Sequence, residues 1–163
     1  MDAKKPGASP PGESETILAQ FVSQYPRAQY HCAEFLVGHL CDCSRVFGGD
    51  LQEMLILAVI GQMHLRSCTD EAPDGTVWRS ATEVDTSISA SRLSDVTGIP
   101  RQTVRRKLQK LESLSWIAQN SAGRWHILID GEGIPKSRAD LAALNDRSME
   151  RFARLHASLK RIA

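Results

Sequence analysis

Apolar residues recur every three or four positions between residues 14 and 50, and this spacing predicts two helices. The first begins at Ser14, a residue type that caps helices, and ends where Pro26 breaks the pattern. The second carries one broad apolar face between Ala28 and Cys43. Ahead of both, residues 1–13 are rich in Pro, Gly and Lys and have no apolar periodicity, so we expect a disordered tail there.

A third helix is predicted directly after the Gly48-Gly49 pair. Asp50, with Glu53 three residues later, resembles a capping box, and a largely apolar stretch then runs to about Leu65. Because few charges interrupt this stretch, we expect it to be the buried central helix. Residues 14–50 are therefore assigned to supporting N-terminal helices.

The middle of the chain contains a long connection followed by two short helices. Residues 66–87 are polar and long for a loop, so they could hide a short strand or a contact element. A short helix then ends at Gly98, and Pro100 precedes a second, strongly basic helix at 101–113. A compact helix, a tight turn and a helix with a cationic outer face are typical of a helix-turn-helix.

A β-hairpin is predicted after the basic helix. Two short β-favouring runs, 116–119 and 125–129, are separated by Asn120-Ser121-Ala122-Gly123, a glycine-containing loop. The fold class expected from these elements is mainly α with one small hairpin.

The C-terminal segment predicts one long helix from Ser137 to Ala163, capped by Ser137 with Asp140 three residues later. Two sets of residues recur in it every seven positions and form a heptad-like seam. At about 26 residues the helix would be roughly 39 Å long, too long to bury against so small a domain, and this favours packing against a second subunit. The alternative is packing on the N-terminal helices of the same chain. The seam consists of Leu141, Asn145, Ser148, Phe152, Leu155, Leu159 and Ile162.

Charge is unevenly distributed although the net charge is only +1. Between Arg92 and Arg124 there are seven basic and two acidic residues, which leaves +5 in this segment and −4 in the rest. A cationic surface on an otherwise acidic chain is the electrostatic pattern of a phosphate-binding protein. The alternative is an ordinary solvated helix face.

Cysteine and histidine chemistry does not point to a metal or an enzyme. His39 and Cys43 lie one helical turn apart, but no Cys-x-x-Cys pair is present, and the apolar neighbours of Cys32 and Cys43 favour core packing. A thiol-based redox sensor is an alternative with no positive signal beyond the number of cysteines. No glycine-rich phosphate loop or nucleophile signature is present, so we expect no cofactor and no enzymatic activity.

The chain is expected to be a reduced cytoplasmic protein without a membrane span. Its N-terminus lacks the apolar core of a signal peptide. The longest strongly apolar run, Met54 to Ile60, is too short to cross a bilayer.

Residues 51–130 resemble a winged helix-turn-helix domain of the MarR-like and IclR-like bacterial transcription regulators. The resemblance covers about half of the chain, and one position departs from it, because Ser115 stands where such domains usually have a glycine. It implies double-stranded DNA as the partner, a homodimer formed through terminal helices, and a small-molecule effector that no residue identifies. The residues that carry the resemblance are Leu93, Gly98-Ile99, Thr103-Val104, Leu108, Leu111-Glu112, Trp116-Ile117 and the wing from Asn120 to Arg124.

Helical spacing assigns roles within the basic helix. Val104, Leu108 and Leu111 form an inward stripe that should pack on Leu93, Val96 and Ile99. Arg101, Gln102 and Arg105 are expected to read base edges in the major groove, with Arg106 at the margin. Thr103, Lys107 and Lys110 are expected to hold phosphates. By the resemblance, Arg124 in the wing would contact the backbone or the minor groove. The competing interpretation is a winged helix that binds proteins and not DNA.

Overall fold

A computed structural model describes residues 12–69, 86–131 and 133–162. The predicted tail up to residue 11 and residues 70–85 of the predicted connection lie outside the described residues. Within them the chain is mainly helical with one small antiparallel sheet, which confirms the coarse fold class. The elements are α1 (Glu13–Ser23), α2 (Tyr25–Val46), α3 (Leu51–Thr69), α4 (Ala90–Thr97), α5 (Arg101–Ser113), β1 (Ile117–Gln119), β2 (Trp125–Ile127), α6 (Lys136–Asp140) and α7 (Ala142–Lys160).

The chain divides into two compact units. Unit 1 comprises Met1–His39 and Arg147–Ala163, and unit 2 comprises Leu40–Asp146.

Unit 1 is built from helices that leave most of their apolar residues exposed. Helix α1 begins one residue before the predicted cap, and the N–H of Gly12 donates to the Glu15 carboxylate at 3.2 Å, so Ser14 is not the cap. Pro26 lies in the first turn of α2, where the missing N–H costs no helical bond. Among the described hydrophobic residues of unit 1, Ala28 alone is buried.

Two contacts within unit 1 join the α2 and α7 segments. The rings of Phe35 and Phe152 meet edge to face with centroids 6.3 Å apart, and Ser148 Oγ lies 3.1 Å from His39 Nδ1. Gly38 contributes by its lack of a side chain, because a Cβ there would overlap the Arg151 guanidinium.

Unit 2 contains a continuous hydrophobic core centred on α3. Ile56 and Ile60 of α3 are fully buried, and they pack with α4, α5 and the sheet. The prediction of a central helix is confirmed on this side of α3, while Leu55 and Leu65 on its other side are 40% and 50% exposed. At the start of α3, Asp50 Oδ1 accepts a hydrogen bond from the N–H of Glu53 at 3.0 Å, which confirms Asp50 as the cap.

The hairpin forms where the sequence predicts it. Strands β1 and β2 pair antiparallel, with Ile117 opposite Ile127 and Gln119 opposite Trp125. Ile88, just before α4, adds a bridge on the other side of β2 through two 2.8 Å hydrogen bonds with Trp125. This bridge lies just after the predicted 66–87 connection, of which residues 70–85 lie outside the described residues.

Ser115 links α5 to the hairpin in a conformation that usually requires glycine. Its φ is +58°, the one positive φ found at a non-glycine residue of the described chain. Two hydrogen bonds close the end of the helix, from Ser115 N to Glu112 O at 2.8 Å and from Trp116 N to Leu111 O at 3.2 Å. This is the Schellman pattern, so the serine adopts the turn at a cost in backbone strain.

The predicted single C-terminal helix is wrong, because it breaks at Leu141 into α6 and α7. The carboxylate of Asp140 accepts hydrogen bonds from Trp116 Nε1 at 2.7 Å and from Lys136 Nζ at 2.6 Å, which ties α6 to the core. These two donors also lower the pKa of Asp140, the Lys136 bond most strongly. Ser137 is a buried residue inside α6, which follows Pro135, and is not its cap.

None of the described helices is, taken singly, both long and apolar enough to cross a membrane. The segments Tyr25–Val46 and Leu51–Arg66 together have the length and composition of a membrane span, and the chain bends by 101° between them.

Candidate nucleic-acid interface

The turn between α4 and α5 is held by short hydrogen bonds around a glycine. Gly98 has a φ of +70°, a value that a side chain would strain. Ser94 Oγ donates to the Ile99 carbonyl at 2.7 Å, and Thr97 Oγ1 donates to the Leu93 carbonyl at 2.6 Å. The turn therefore has a defined geometry, and it sets the angle at which α5 leaves α4.

Helix α4 buries a different line of residues from the predicted one. Leu93 is fully buried, but Val96 is 52% exposed, so the prediction that Val96 packs inward is wrong. Ala90, three residues before Leu93, and Thr97, four residues after it, are half-buried. At about 100° per residue both lie on the same side of Leu93 around the helix, at about 60° and 40°. Val96 lies on the opposite side of Leu93 and is turned away from the core.

Helix α5 has a fully apolar inner face and a polar outer face. Val104, Leu108 and Leu111 are 0% exposed, as their spacing predicts. Gln102 and Arg106 lie about 160° and 200° around the helix from Val104, so they mark the middle of the outer face. Arg106 therefore lies near the centre of the outer face, whereas the sequence places it at the margin of the base-reading set.

The side chains predicted to read bases are all exposed. Arg101, Gln102, Arg105 and Arg106 belong to the exposed residues of α5, together with Gln109. The single acidic residue of α5, Glu112, lies in the last turn. Helix α5 therefore presents donors along its first two turns without a competing carboxylate from its own sequence.

Lys107, a predicted phosphate ligand, instead forms an ion pair inside unit 2. Its Nζ donates to Asp50 Oδ2, and its side chain is only 12% exposed. The position follows from helix geometry, since Lys107 lies about 60° from Val104 and so on the inner half of α5. The same Asp50 caps α3 through its other oxygen.

Lys110 forms a second pair with the same part of α3. Its Nζ lies 2.8 Å from Glu53 Oε2, and the glutamate side chain is 2% exposed while the lysine is 54% exposed. The contact is an ion pair without hydrogen-bond geometry, and Oε2 has no hydrogen-bond partner among the described residues. Removing the lysine would leave a buried, uncompensated carboxylate, which costs about 3–5 kcal/mol for a fully buried pair and less here.

Thr103 and Arg124 complete the predicted DNA-binding set. Thr103 is half-buried on the flank of α5. Arg124 is an exposed residue whose Nη2 donates to the Ser87 carbonyl at 2.5 Å, so its guanidinium lies against the segment before α4. Its backbone N–H donates to Asn120 Oδ1 at 2.9 Å, which helps to close the 120–124 loop.

The two lysine pairs change the electrostatics of the surface. Asp50 and Glu53 lie outside the 92–124 segment in sequence, but in the folded protein their two negative charges lie next to its lysines. The surplus of this region falls from +5 to +3 when both are included. The positive charge that remains is carried mainly by arginines on the outer face of α5.

The residues predicted for dimerisation do not share one environment. Leu141 is half-buried against the core of unit 2, so its burial needs no second subunit. In unit 1, Ser148 contacts His39, Leu155 is half-buried, and Phe152 is 55% exposed despite its contact with Phe35. Asn145 is exposed, while Leu159 and Ile162 are half-buried.

The thiol and imidazole side chains have separate surroundings. Cys43 is buried in the core of unit 2, where burial raises the pKa of its thiol, whereas Cys41 is exposed. His64 is also buried, and burial together with the nearby His126 lowers its pKa. Within the described part of the chain, no three His, Cys, Asp or Glu side chains come together as a metal site would require.

The partners of the two lysines were missed by sequence reasoning. Asp50 and Glu53 were noticed only as a capping box, three residues apart. Lys107 and Lys110 are also three residues apart, so each ammonium group can pair with one carboxylate on the facing helix. The equal spacing predicts these pairs only when α3 and α5 are known to pack together.

No protein-family model matches the chain, and comparison with curated proteins and with solved structures likewise found no match.

Proposed function

We propose that this chain binds double-stranded DNA in a sequence-specific manner as a homodimeric transcription regulator of the winged helix-turn-helix type. Helix α5 would enter the major groove, and the 120–124 loop would act as the wing on the backbone or in the minor groove. The observation that carries the proposal is the outer face of α5, whose exposed donors follow a tight glycine turn. An α-helix fits the major groove, and arginine and glutamine can pair with guanine and adenine there.

The order of elements supports the winged form of this proposal. A central helix (α3) is followed by the Ile88 bridge, by α4 and α5, and then by the β1–β2 hairpin. Ser115 departs from the usual glycine in sequence but has the left-handed conformation a glycine would adopt, so the hairpin leaves α5 through the expected kind of turn.

Base contacts are assigned to the residues nearest the groove. Arg101, Gln102 and Arg105 keep the roles proposed from sequence, and Arg106 joins them because it lies at the middle of the outer face. Arg124 would contribute at the wing if its guanidinium leaves the Ser87 carbonyl.

Self-association through unit 1 is the second part of the proposal. Leu18, Val22, Tyr30 and Val37 are each more than 60% exposed, which is unusual for so many large apolar side chains of a small unit. A second copy of the chain is the occupant that twofold DNA recognition calls for, because two half-sites are then read about one turn apart.

Selection of bound sequences from random duplex DNA tests the proposal most directly. We expect a partly palindromic consensus with half-sites about 10 base pairs apart. Arg105→Ala should lose discrimination at one base pair, on the order of 1–3 kcal/mol. Binding should also weaken steeply with salt, since phosphate contacts release counterions. If the chain binds no duplex at low salt, the protein-binding winged helix becomes the better explanation.

A further inference from the structure

Two acidic residues at the start of α3 contact the two lysines of α5 that the sequence assigns to phosphates. Asp50 and Glu53 are three residues apart on one helix, and Lys107 and Lys110 are three residues apart on the other. The result is a pair of parallel cross-links between α3 and α5, both inside unit 2. We call these four residues the lysine clamp.

Three of the four side chains of the clamp are largely buried, and Lys110 is 54% exposed. Lys107 is 12% exposed, and its partner Asp50 is already fixed in place because it caps α3. Glu53 is almost fully buried, and its Oε2 has Lys110 as its ion-pair partner without a hydrogen bond from the described residues. Neither lysine can turn to a phosphate without leaving a carboxylate uncompensated.

We propose that Asp50, Glu53, Lys107 and Lys110 are positioning residues that hold the rotation of α5 about its axis, and so decide which side chains reach base edges. The inference rests on the proposed function and deepens it. It withdraws Lys107 and Lys110 from phosphate binding and assigns sequence discrimination to an outer face whose orientation the clamp maintains. The carboxylates also keep two strong cations away from DNA in general, which lowers binding to unrelated sequences.

The decisive variants remove charge with little change in shape. Asp50→Asn keeps the helix cap, since asparagine caps as well as aspartate, and loses only the charge that holds Lys107. Glu53→Gln removes the charge that pairs with Lys110 and keeps the size of the side chain. Asp95→Asn is the matched control, because it removes one carboxylate from an exposed position of α4 in the same unit.

Binding to the selected duplex and to a random duplex is measured for each variant by fluorescence anisotropy across a salt titration. We expect Asp50→Asn and Glu53→Gln to bind random duplex more tightly and to steepen the salt dependence by about one unit relative to Asp95→Asn, as a freed lysine gains a phosphate. The ratio of random to selected Kd should fall by about tenfold. A side chain that served folding alone would not tighten binding to random DNA.

Lysine variants give the complementary readout. Lys107→Met should lose discrimination without flattening the salt dependence, and Lys107→Arg should retain discrimination. If Lys107→Met flattens the salt dependence by about one unit, the lysine is a phosphate ligand and the clamp is overturned. If Asp50→Asn behaves as Asp95→Asn, the clamp is likewise overturned while DNA binding stands. A wild-type chain that binds neither duplex overturns the proposed function and the clamp together.

Discussion

Unit 2 and unit 1 use their apolar residues in opposite ways. Of the seventeen buried hydrophobic residues in the described chain, Ala28 alone belongs to unit 1 and sixteen belong to unit 2. Of the seventeen exposed large hydrophobic residues, nine lie in unit 1, although it is the smaller unit. Unit 2 therefore buries its apolar residues in a core of its own, whereas most apolar side chains of the described part of unit 1 are exposed. Similar helical periodicity therefore accompanies a buried core in one region and exposed apolar side chains in the other.

The largest effect is expected from removing a core side chain of unit 2. Leu108→Ala should destabilise the protein by about 2–5 kcal/mol, because it leaves a cavity at a fully buried position. Val96→Ala, at a 52% exposed position of the neighbouring helix, is the control and should cost less than about 0.5 kcal/mol. Urea unfolding followed by tryptophan fluorescence measures both. Equal losses at the two positions would contradict the assignment of the inner face.

A smaller effect, on association and not on folding, is expected in unit 1. Val22→Lys and Val37→Lys introduce a charge at positions that are 65% and 62% exposed. Each should weaken self-association by about 30-fold, or about 2 kcal/mol, and leave the urea midpoint unchanged. Leu65→Lys makes the same change at a 50% exposed position of unit 2 and should leave association intact.

Analytical ultracentrifugation across micromolar concentrations reads out this second prediction. Were the wild-type chain monomeric throughout, the exposed apolar residues of unit 1 would need another explanation than a second copy.

Relief of backbone strain should give a modest gain in unit 2. Ser115 has a φ of +58°, a conformation that costs a non-glycine residue about 1–2 kcal/mol. Ser115→Gly should stabilise the protein by about 0.5–1 kcal/mol after the greater flexibility of unfolded glycine is taken into account. Ser121→Gly, in the exposed loop, is the control and should change stability by less than about 0.5 kcal/mol. A thermal melt in which Ser115→Gly lowers the Tm would argue against the Schellman turn.

The smallest effect concerns pH and the buried His64. Burial and His126 lower its pKa in the folded state, so the unfolded state takes up a proton first as the pH falls. The stability that neutral His64 contributes is present above its unfolded pKa of about 6.5, and it is lost as the pH falls towards the lower folded pKa. The unfolding free energy should therefore drop between about pH 7 and pH 5, and the drop should be shallower in His64→Gln.

The same urea titration repeated with His126→Gln separates the two causes. This variant removes the smaller contribution, so its pH dependence should lie between those of the wild type and His64→Gln. A pH dependence that is identical in all three proteins would show that other groups govern acid unfolding.

Local features of the sequence predicted most of the elements correctly. The inward stripe of α5, the glycine turn at Gly98 and the 120–124 loop all depend on residues within a few positions of each other. Two errors concern how elements pack against the core. Val96 was predicted to pack inward but is 52% exposed, and the C-terminal helix divides at Leu141, next to Asp140, whose carboxylate accepts a hydrogen bond from Trp116.

The candidate site was predictable in its residue types but not in the roles of its lysines. Arginine and glutamine on the outer face of α5 are exposed, as helical spacing requires. Lys107 and Lys110 are both cations of α5, and the sequence assigns both to phosphates. Their carboxylate partners lie 57 positions earlier, in a helix whose packing no local pattern specifies.

The sequence by itself determined the helical periods, the turns, the hairpin and the cationic composition of α5, because these depend on backbone preferences and on side-chain spacing within one element. Only the tertiary structure decided which cations remain exposed, that Ser115 takes a left-handed conformation, and where the C-terminal helix divides. Those outcomes depend on which elements pack together, and burial then decides whether a charge faces solvent or a partner inside the fold.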